Sequence, residues 1–282
     1  MAALTDLSDL INRLTGGNNG TPEFFFVNKP GRVAGAAAAT PVVGRPVSLW
    51  TYDGTHGAGA YGTGELVPTN TTNGAIPFTN PGGSREKWLI GATGVSTSLG
   101  VFVLYDRLYQ RAGLSCTSAA DQTVMGTTPA NPITRNTGGV GNFIAYELEA
   151  GNTGTQTTIT ATYTDDAGNN GAVTPTTLIG GTGFNLAQRI QIMPLAAGDK
   201  GVRAVEKVKL TAALGSGTFS VVIGRPLVYL PISTSTISAI RDFTTGFPSI
   251  PKIDNNACLA WYVIPAGTAI PDFTATLSMV EK

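Results

Sequence analysis

Thr157-Thr158-Ile159-Thr160-Ala161-Thr162-Tyr163 puts Ile159, Ala161 and Tyr163 on one side of an extended chain and threonines on the other. Alternation of this kind is a strand with one buried face. The turn formers Asp165-Asp166-Ala167-Gly168-Asn169-Asn170-Gly171 follow, and they return the chain into Val173–Ile179 as a hairpin. Upstream, Phe143-Ile144-Ala145-Tyr146-Glu147-Leu148-Glu149 repeats the pattern. Ile144, Tyr146 and Leu148 face inward there, and Glu147 and Glu149 face solvent. Ile190–Met193, Val205–Leu214, Thr218–Ile223 and Leu227–Leu230 continue the series downstream. Short strands at this spacing imply an antiparallel, jelly-roll-like sandwich over residues 142–231.

Residues 42–141 read as a second β-rich unit with long Gly/Pro loops. Val42–Tyr52 is a strand candidate, followed by a glycine-loaded stretch from Asp53 to Gly64 and a Pro/Asn/Thr loop to Gly83. Trp88–Ile90 and Leu99–Tyr105 are further strands. Val101-Phe102-Val103-Leu104-Tyr105 is apolar on both faces, which predicts a central position. Residues 232–282 form a linker and two C-terminal strands, Cys258–Ile264 and Phe273–Val280. These strands have no neighbour of their own and are expected to pair with strands from 42–110. Ile232–Thr245 is compatible with a short helix. Gly-Arg-Pro recurs at 44–46 and 224–226, as if at two related strand ends.

Residues 1–41 read as a short helix and an extended arm. Leu4, Leu7, Ile11 and Leu14 form an a/d stripe, with Thr5 as N-cap and Gly16-Gly17 as the stop. A helix this short needs something to dock on, either its own domain or a partner. Phe24, Phe25 and Phe26 form an apolar patch, read either as an interface anchor or as an edge strand of the protein's own sheet. The fold class is therefore mainly β: an antiparallel jelly-roll-like sandwich, a second smaller β unit, a short N-terminal helix and an extended arm.

Composition excludes several functions. Charged residues make up 13%, with 18 Lys+Arg against 18 Asp+Glu, so the basic footprint of a nucleic-acid binder is missing. No apolar run reaches the roughly 20 residues of a membrane helix, and the N-terminus does not resemble a signal peptide. One histidine and two cysteines without CxxC spacing supply no zinc site. Cys116 and Cys258 read as buried small apolar residues.

Four motifs invite chemistry, and each is better read structurally. Gly57-Ala58-Gly59-Ala60-Tyr61-Gly62 matches GxGxxG, but no strand precedes it and no helix follows, so it reads as a flexible surface loop. The Asp165–Gly171 turn lacks the register of a calcium loop. Glu147 and Glu149 are spaced like paired carboxylates, yet nothing marks a cleft around them. His56 reads as solvent-exposed, and Tyr52, Tyr61 and Phe78 as exposed aromatics. No catalytic, cofactor-binding or metal-binding residue is assigned, and the chain reads as a non-enzyme.

Three runs resemble segments of tailed-bacteriophage virion proteins: Thr162–Gly168, Met193–Arg203 and Asp254–Tyr262. The resemblance extends over residues 142–282. It implies a capsid decoration (cement) or minor head protein made in the host cytoplasm and located in the virion. It also implies a homo-oligomer, with a trimer favoured, a major capsid protein or other virion protein as partner, and no cofactor. A tail, fibre or host-receptor-binding protein is the alternative. On this reading Leu4, Leu7, Ile11, Leu14, Phe24, Phe25 and Phe26 meet the partner, and deleting residues 1–40 leaves the sandwich folded.

Overall fold

The computed structural model describes Ser8 and residues 22–152, 155–181, 183–243 and 250–281. The expected helical stripe Leu4, Leu7, Ile11 and Leu14 lies outside the described residues. The first eight strands are β1 (Glu23–Lys29), β2 (Arg32–Val33), β3 (Ala36–Ala37), β4 (Val47–Ser48), β5 (Gly64–Leu66), β6 (Lys87–Ser96), β7 (Gly100–Ser115) and β8 (Gln122–Thr123). Six follow in the middle of the chain: β9 (Phe143–Leu148), β10 (Thr157–Asp165), β11 (Ala172–Val173), β12 (Thr177–Ile179), β13 (Ile190–Met193) and β14 (Val202–Leu210). The last five are β15 (Thr218–Ile232), β16 (Ala239–Asp242), β17 (Lys252–Ile253), β18 (Leu259–Pro265) and β19 (Phe273–Glu281).

One long sheet organises the rest. Its order is β13-β9-β15-β7-β18-β4, with β5 beside β7. A second sheet, β1-β19-β6-β16 with β17 on β6, lies over one half of it, and a third, β11-β10-β14-β8 with β12 on β10, over the other. The first hydrophobic core collects Phe102, Leu104, Leu230, Trp261 and Leu277 from the first and second sheets. Another collects Leu108, Tyr146, Phe219, Ile159 and Val208 from the first and third. The opposite face of the long sheet presents Val103, Tyr105, Ala145 and Tyr262, which are covered by Trp50 and Ala75. The molecule is thus an antiparallel, jelly-roll-like assembly of β-sandwiches built on one shared layer. All pairings of β10 with β11, β12 and β14 are antiparallel.

The alternation read in 157–163 is realised: Ile159, Ala161 and Tyr163 are fully buried. At the 165–171 turn the Asp165 carboxylate accepts from Asn169 N at 2.8 Å, and Thr162 pairs with Val173 to close the hairpin. Val101–Tyr105 is central, between β15 and β18. The C-terminal strands find partners in 42–110 as expected, β18 on β7 and β4 and β19 on β6, while β19 also takes β1 from the segment read as an arm.

Elsewhere the chain departs from the sequence reading for local reasons. Val42–Tyr52 is not one strand. Gly44 takes a left-handed backbone (φ +72) that turns the chain, and only Val47–Ser48 joins a ladder. Residues 232–243 hold no helix: β15 runs to Ile232, and β16 follows on the edge of the second sheet. The arm is not free, since residues 32–37 fold back as a hairpin through Ala34 and Gly35 and place Ala38 in the core. Gly-Arg-Pro 224–226 is no strand end but lies inside β15. A Cβ at Gly224 would overlap the Phe143 ring. Beyond Gly224, β15 has lost β9 as a neighbour, so Pro226 and Pro231 lie where that side of the ladder needs no donor.

Two buried ion pairs flank the crossover between cores. Asp106 of β7 receives Arg135 Nε and Nη2, each at 2.9 Å, and also accepts from Cys258 N. Burial pushes the Asp106 carboxyl up from its ordinary range while Arg135 pulls it down. Removing the guanidinium strands a buried carboxylate. Arg135→Leu is therefore expected to cost about 3–5 kcal/mol in urea denaturation. Lys207→Ala, which breaks the exposed pair with Asp121, should leave the midpoint unchanged.

Candidate interaction surface

β1 forms the edge of the second sheet and pairs residue for residue with β19, from Glu23 opposite Met279 to Lys29 opposite Phe273. Its alternation sorts the three phenylalanines. Phe25 packs against the first core with Val27, whereas Phe24 and Phe26 point away and are 72% and 55% exposed. The three do not act as a single patch: one is core, and two stand on the outer face.

The strand register extends that outer face across the sheet. Phe26 lies opposite Thr276, Thr276 opposite Thr93, and Thr93 opposite Ile240, which is 66% exposed. The neighbouring row runs Phe24, Ser278, Gly91 and Asp242. Thr93 and Thr276 join their hydroxyls at 2.5 Å, which satisfies both within the sheet. Of the eight residues in these two rows one, Asp242, carries a charge. At one end of the face a groove of ≈ 360 Å³ opens between Asn28, Val95, Thr236 and Thr274. A flat face with so little charge and three exposed apolar side chains costs little to desolvate, which suits it to a protein partner.

The arm that carries this face is structurally committed. Lys87, itself buried, pairs with Glu23 at the start of β1 and with Glu281 at 3.4 Å. Lys29 at its end donates to Tyr52 O at 3.1 Å and Gly57 O at 2.6 Å. Deleting residues 1–40 would therefore remove the edge strand β1 and the buried Val27 from the second sheet. Deleting 1–21 removes no residue of the described sheets.

Residues singled out for chemistry take structural places. Glu147 is fully buried, with Arg107 Nη1 at 2.7 Å and the Tyr61 hydroxyl donating to it at 3.3 Å. Glu149 accepts from Ser220 Oγ at 2.6 Å and Gly113 N at 2.9 Å. The strand face expected to be solvated is covered by the 49–78 segment, and Arg107 stacks over Trp50 at 4.9 Å. Alternation correctly separates Glu147 from Leu148, but it carries no information on what covers each face. Tyr52 and Phe78 are buried rather than exposed, and His56 is partly buried with Nε2 3.1 Å from Phe26 O. Burial pushes the His56 pKa down. The 57–62 glycine loop is packed, since a Cβ at Gly59 would overlap the Trp50 ring. Cys116 and Cys258 are free and buried. Among the described residues no cluster of His, Cys, Asp or Glu is arranged to hold a metal ion.

Burial pushes the Lys29 pKa down to about 8, with Asp53 opposing. The unfolded chain holds this proton up to about pH 10.5, whereas the folded chain releases it near pH 8. The cost of burying the charge is thus fully present below pH 8 and is relieved as pH rises between these values. Wild type should gain stability relative to Lys29→Met over that interval, by about 3 kcal/mol in urea denaturation at pH 7.5 and pH 10.5.

No protein-family model matches the chain, and no curated protein matches it. Two solved structures align with it weakly. One, of infectious bursal disease virus Gx strain, is 10% identical over 93% of this chain and 79% of that chain, with a TM-score of 0.16. The other, of the infectious bursal disease virus VP2 subviral particle, is 9% identical over 93% and 80%, with a TM-score of 0.18. Both come from virus particles, and likenesses this slight carry no argument about fold or function.

Proposed function

We propose that this chain is a non-enzymatic structural protein of a tailed-phage virion, acting as a decoration protein that bridges neighbouring coat subunits on the capsid as a homotrimer. The observation that carries the reading is the outer face of the second sheet, with Phe24, Phe26 and Ile240 exposed on a nearly uncharged surface. The resemblance of residues 142–282 to virion proteins points the same way. Exposed phenylalanines on a rigid strand are suited to anchor an interface, because large aromatic side chains dominate binding energy at low conformational cost. A trimer would present three such faces, so weak single contacts sum to firm attachment through effective concentration. The buried ion pairs beneath serve to hold the sheets, and no step of covalent chemistry is assigned to them.

The test is co-sedimentation of purified protein with expanded phage heads and, separately, with tails. Wild type should bind heads, raise their heat resistance and scatter light as a trimer at micromolar concentration. Phe24→Ser/Phe26→Ser should keep its melting temperature, because both side chains already face solvent, and should lose head binding at least tenfold. Val173→Ser, an exposed apolar change at the tip of the β10–β11 hairpin, should bind like wild type. Binding to tails alone would favour a tail or receptor-binding role. Undiminished head binding by the double variant would remove the β1 face from the interface.

A further inference from the structure

Lys87 in the second sheet differs from the two arginine pairs where the cores meet, because its cation is a primary amine and faces two carboxyl groups. Lys87 on β6 is fully buried and shares the core face of that strand with Leu89. On the adjacent strand β19, Glu281 lies directly opposite it. On β1, the next strand over, Glu23 lies one row along, opposite Met279. Lys87 Nζ contacts Glu23 Oε2 and stands 3.4 Å from Glu281 Oε1. The other Glu23 oxygen accepts from Thr79 N at 3.3 Å. The Phe78 ring lies 5.4 Å from Nζ, and Arg85 Nη1 lies 3.7 Å from the second oxygen of Glu281. An amine shielded from solvent, a carboxyl group with a backbone N–H on its far oxygen, and a second carboxylate thus converge on one point.

We propose that Lys87 and Glu23 condense spontaneously into an intramolecular isopeptide bond, with Glu281 carrying the proton. Proton transfer within the Lys87–Glu23 pair gives a free amine and a carboxylic acid, and exclusion of water makes that transfer less costly than at a surface. Lys87 Nζ then attacks Glu23 Cδ, and Oε1 takes the negative charge against the Thr79 N–H. Glu281 accepts the proton that Nζ loses and returns it to Oε2. The Cδ–Oε2 bond breaks, one water leaves, and Glu281 is again a carboxylate. One amide replaces one ammonium and one carboxylate, so net charge is unchanged and no oxidant or cofactor is needed. Three paired strands hold the groups in contact, which supplies the high effective concentration the step requires. The bond would join residues 64 apart and fasten the edge strand β1 to β6 across β19. The reaction happens once per chain and does not rest on the virion reading.

The experiment is mass spectrometry of the purified full chain under denaturing conditions. Wild type should weigh about 18 Da less than its sequence, the mass of one water. A tryptic digest should join residues 14–32 to residues 86–107, with Lys87 uncut and fragment ions placing the link between Lys87 and Glu23. Glu23→Ala should keep its full mass. Glu23→Gln should link with loss of ammonia, about 17 Da, which an ion pair alone would not give. Glu281→Gln should fold by circular dichroism and link at least tenfold more slowly. Wild type at full mass, or a link from Lys87 to a residue other than Glu23, would overturn the proposal without reference to any variant. Linking by Glu281→Gln at the wild-type rate would overturn the part given to Glu281.

Discussion

The pairing of β7 with β15 is the constraint on which the rest of the structure depends. The two strands run together from Gly100 opposite Ile232 to Ser115 opposite Thr218. That is far longer than the five or six residues of an average strand, and each strand serves both cores. Phe102, Leu104, Val228 and Leu230 fill the first, while Leu108, Leu114, Phe219 and Ile223 fill the second. Three register shifts break the ladder, each a bulge that adds twist and re-aims the side chains that follow. Without them one flat ribbon would have to cover two cores whose lids, the second and third sheets, approach from different directions.

The polar groups of the interior concentrate where the two cores meet. Asp106 and Arg107 are adjacent on β7 and so point to opposite faces. Arg135 meets the first and Glu147 the second. Arg107 also donates from Nη1 to Tyr105 Oη at 2.9 Å and from Nη2 to Gln110 Oε1 at 2.7 Å. Such networks contribute little net stability compared with apolar packing, but they penalise every arrangement that leaves a member unpaired. Here they tie β7 to β18 on one side and, across β15, to β9 on the other, at the point where hydrophobic alternation alone would tolerate a slip.

The proposed interface follows from the same economy of charge. With 13% charged residues, several of them committed to buried pairs, little charge remains for the outer faces. Threonine takes its place: it favours extended backbone, and its hydroxyls can pair across strands, as Thr93 and Thr276 do. Such a face resists non-specific adhesion less well than a charged one, and edge strand β1 is the part of it most open to a neighbour.

Local sequence determined the class of the fold and many of its strands, because period-two alternation and turn chemistry act within a few residues. The 157–179 hairpin, the central position of Val101–Tyr105 and the need of the last two strands for distant partners were all legible in this way. Which faces are covered was decided only by tertiary structure. Glu147 reads as solvated until Tyr61 and Trp50 close over it from nearly a hundred residues away. Val42–Tyr52 reads as a strand until the turn at Gly44 breaks it and leaves only Val47–Ser48 on the ladder of β18. Phe24 and Phe25 are equivalent in sequence and become surface and core through a pleat whose direction β19 imposes. Burial is a sum over contacts distant in sequence, and no local pattern encodes that sum.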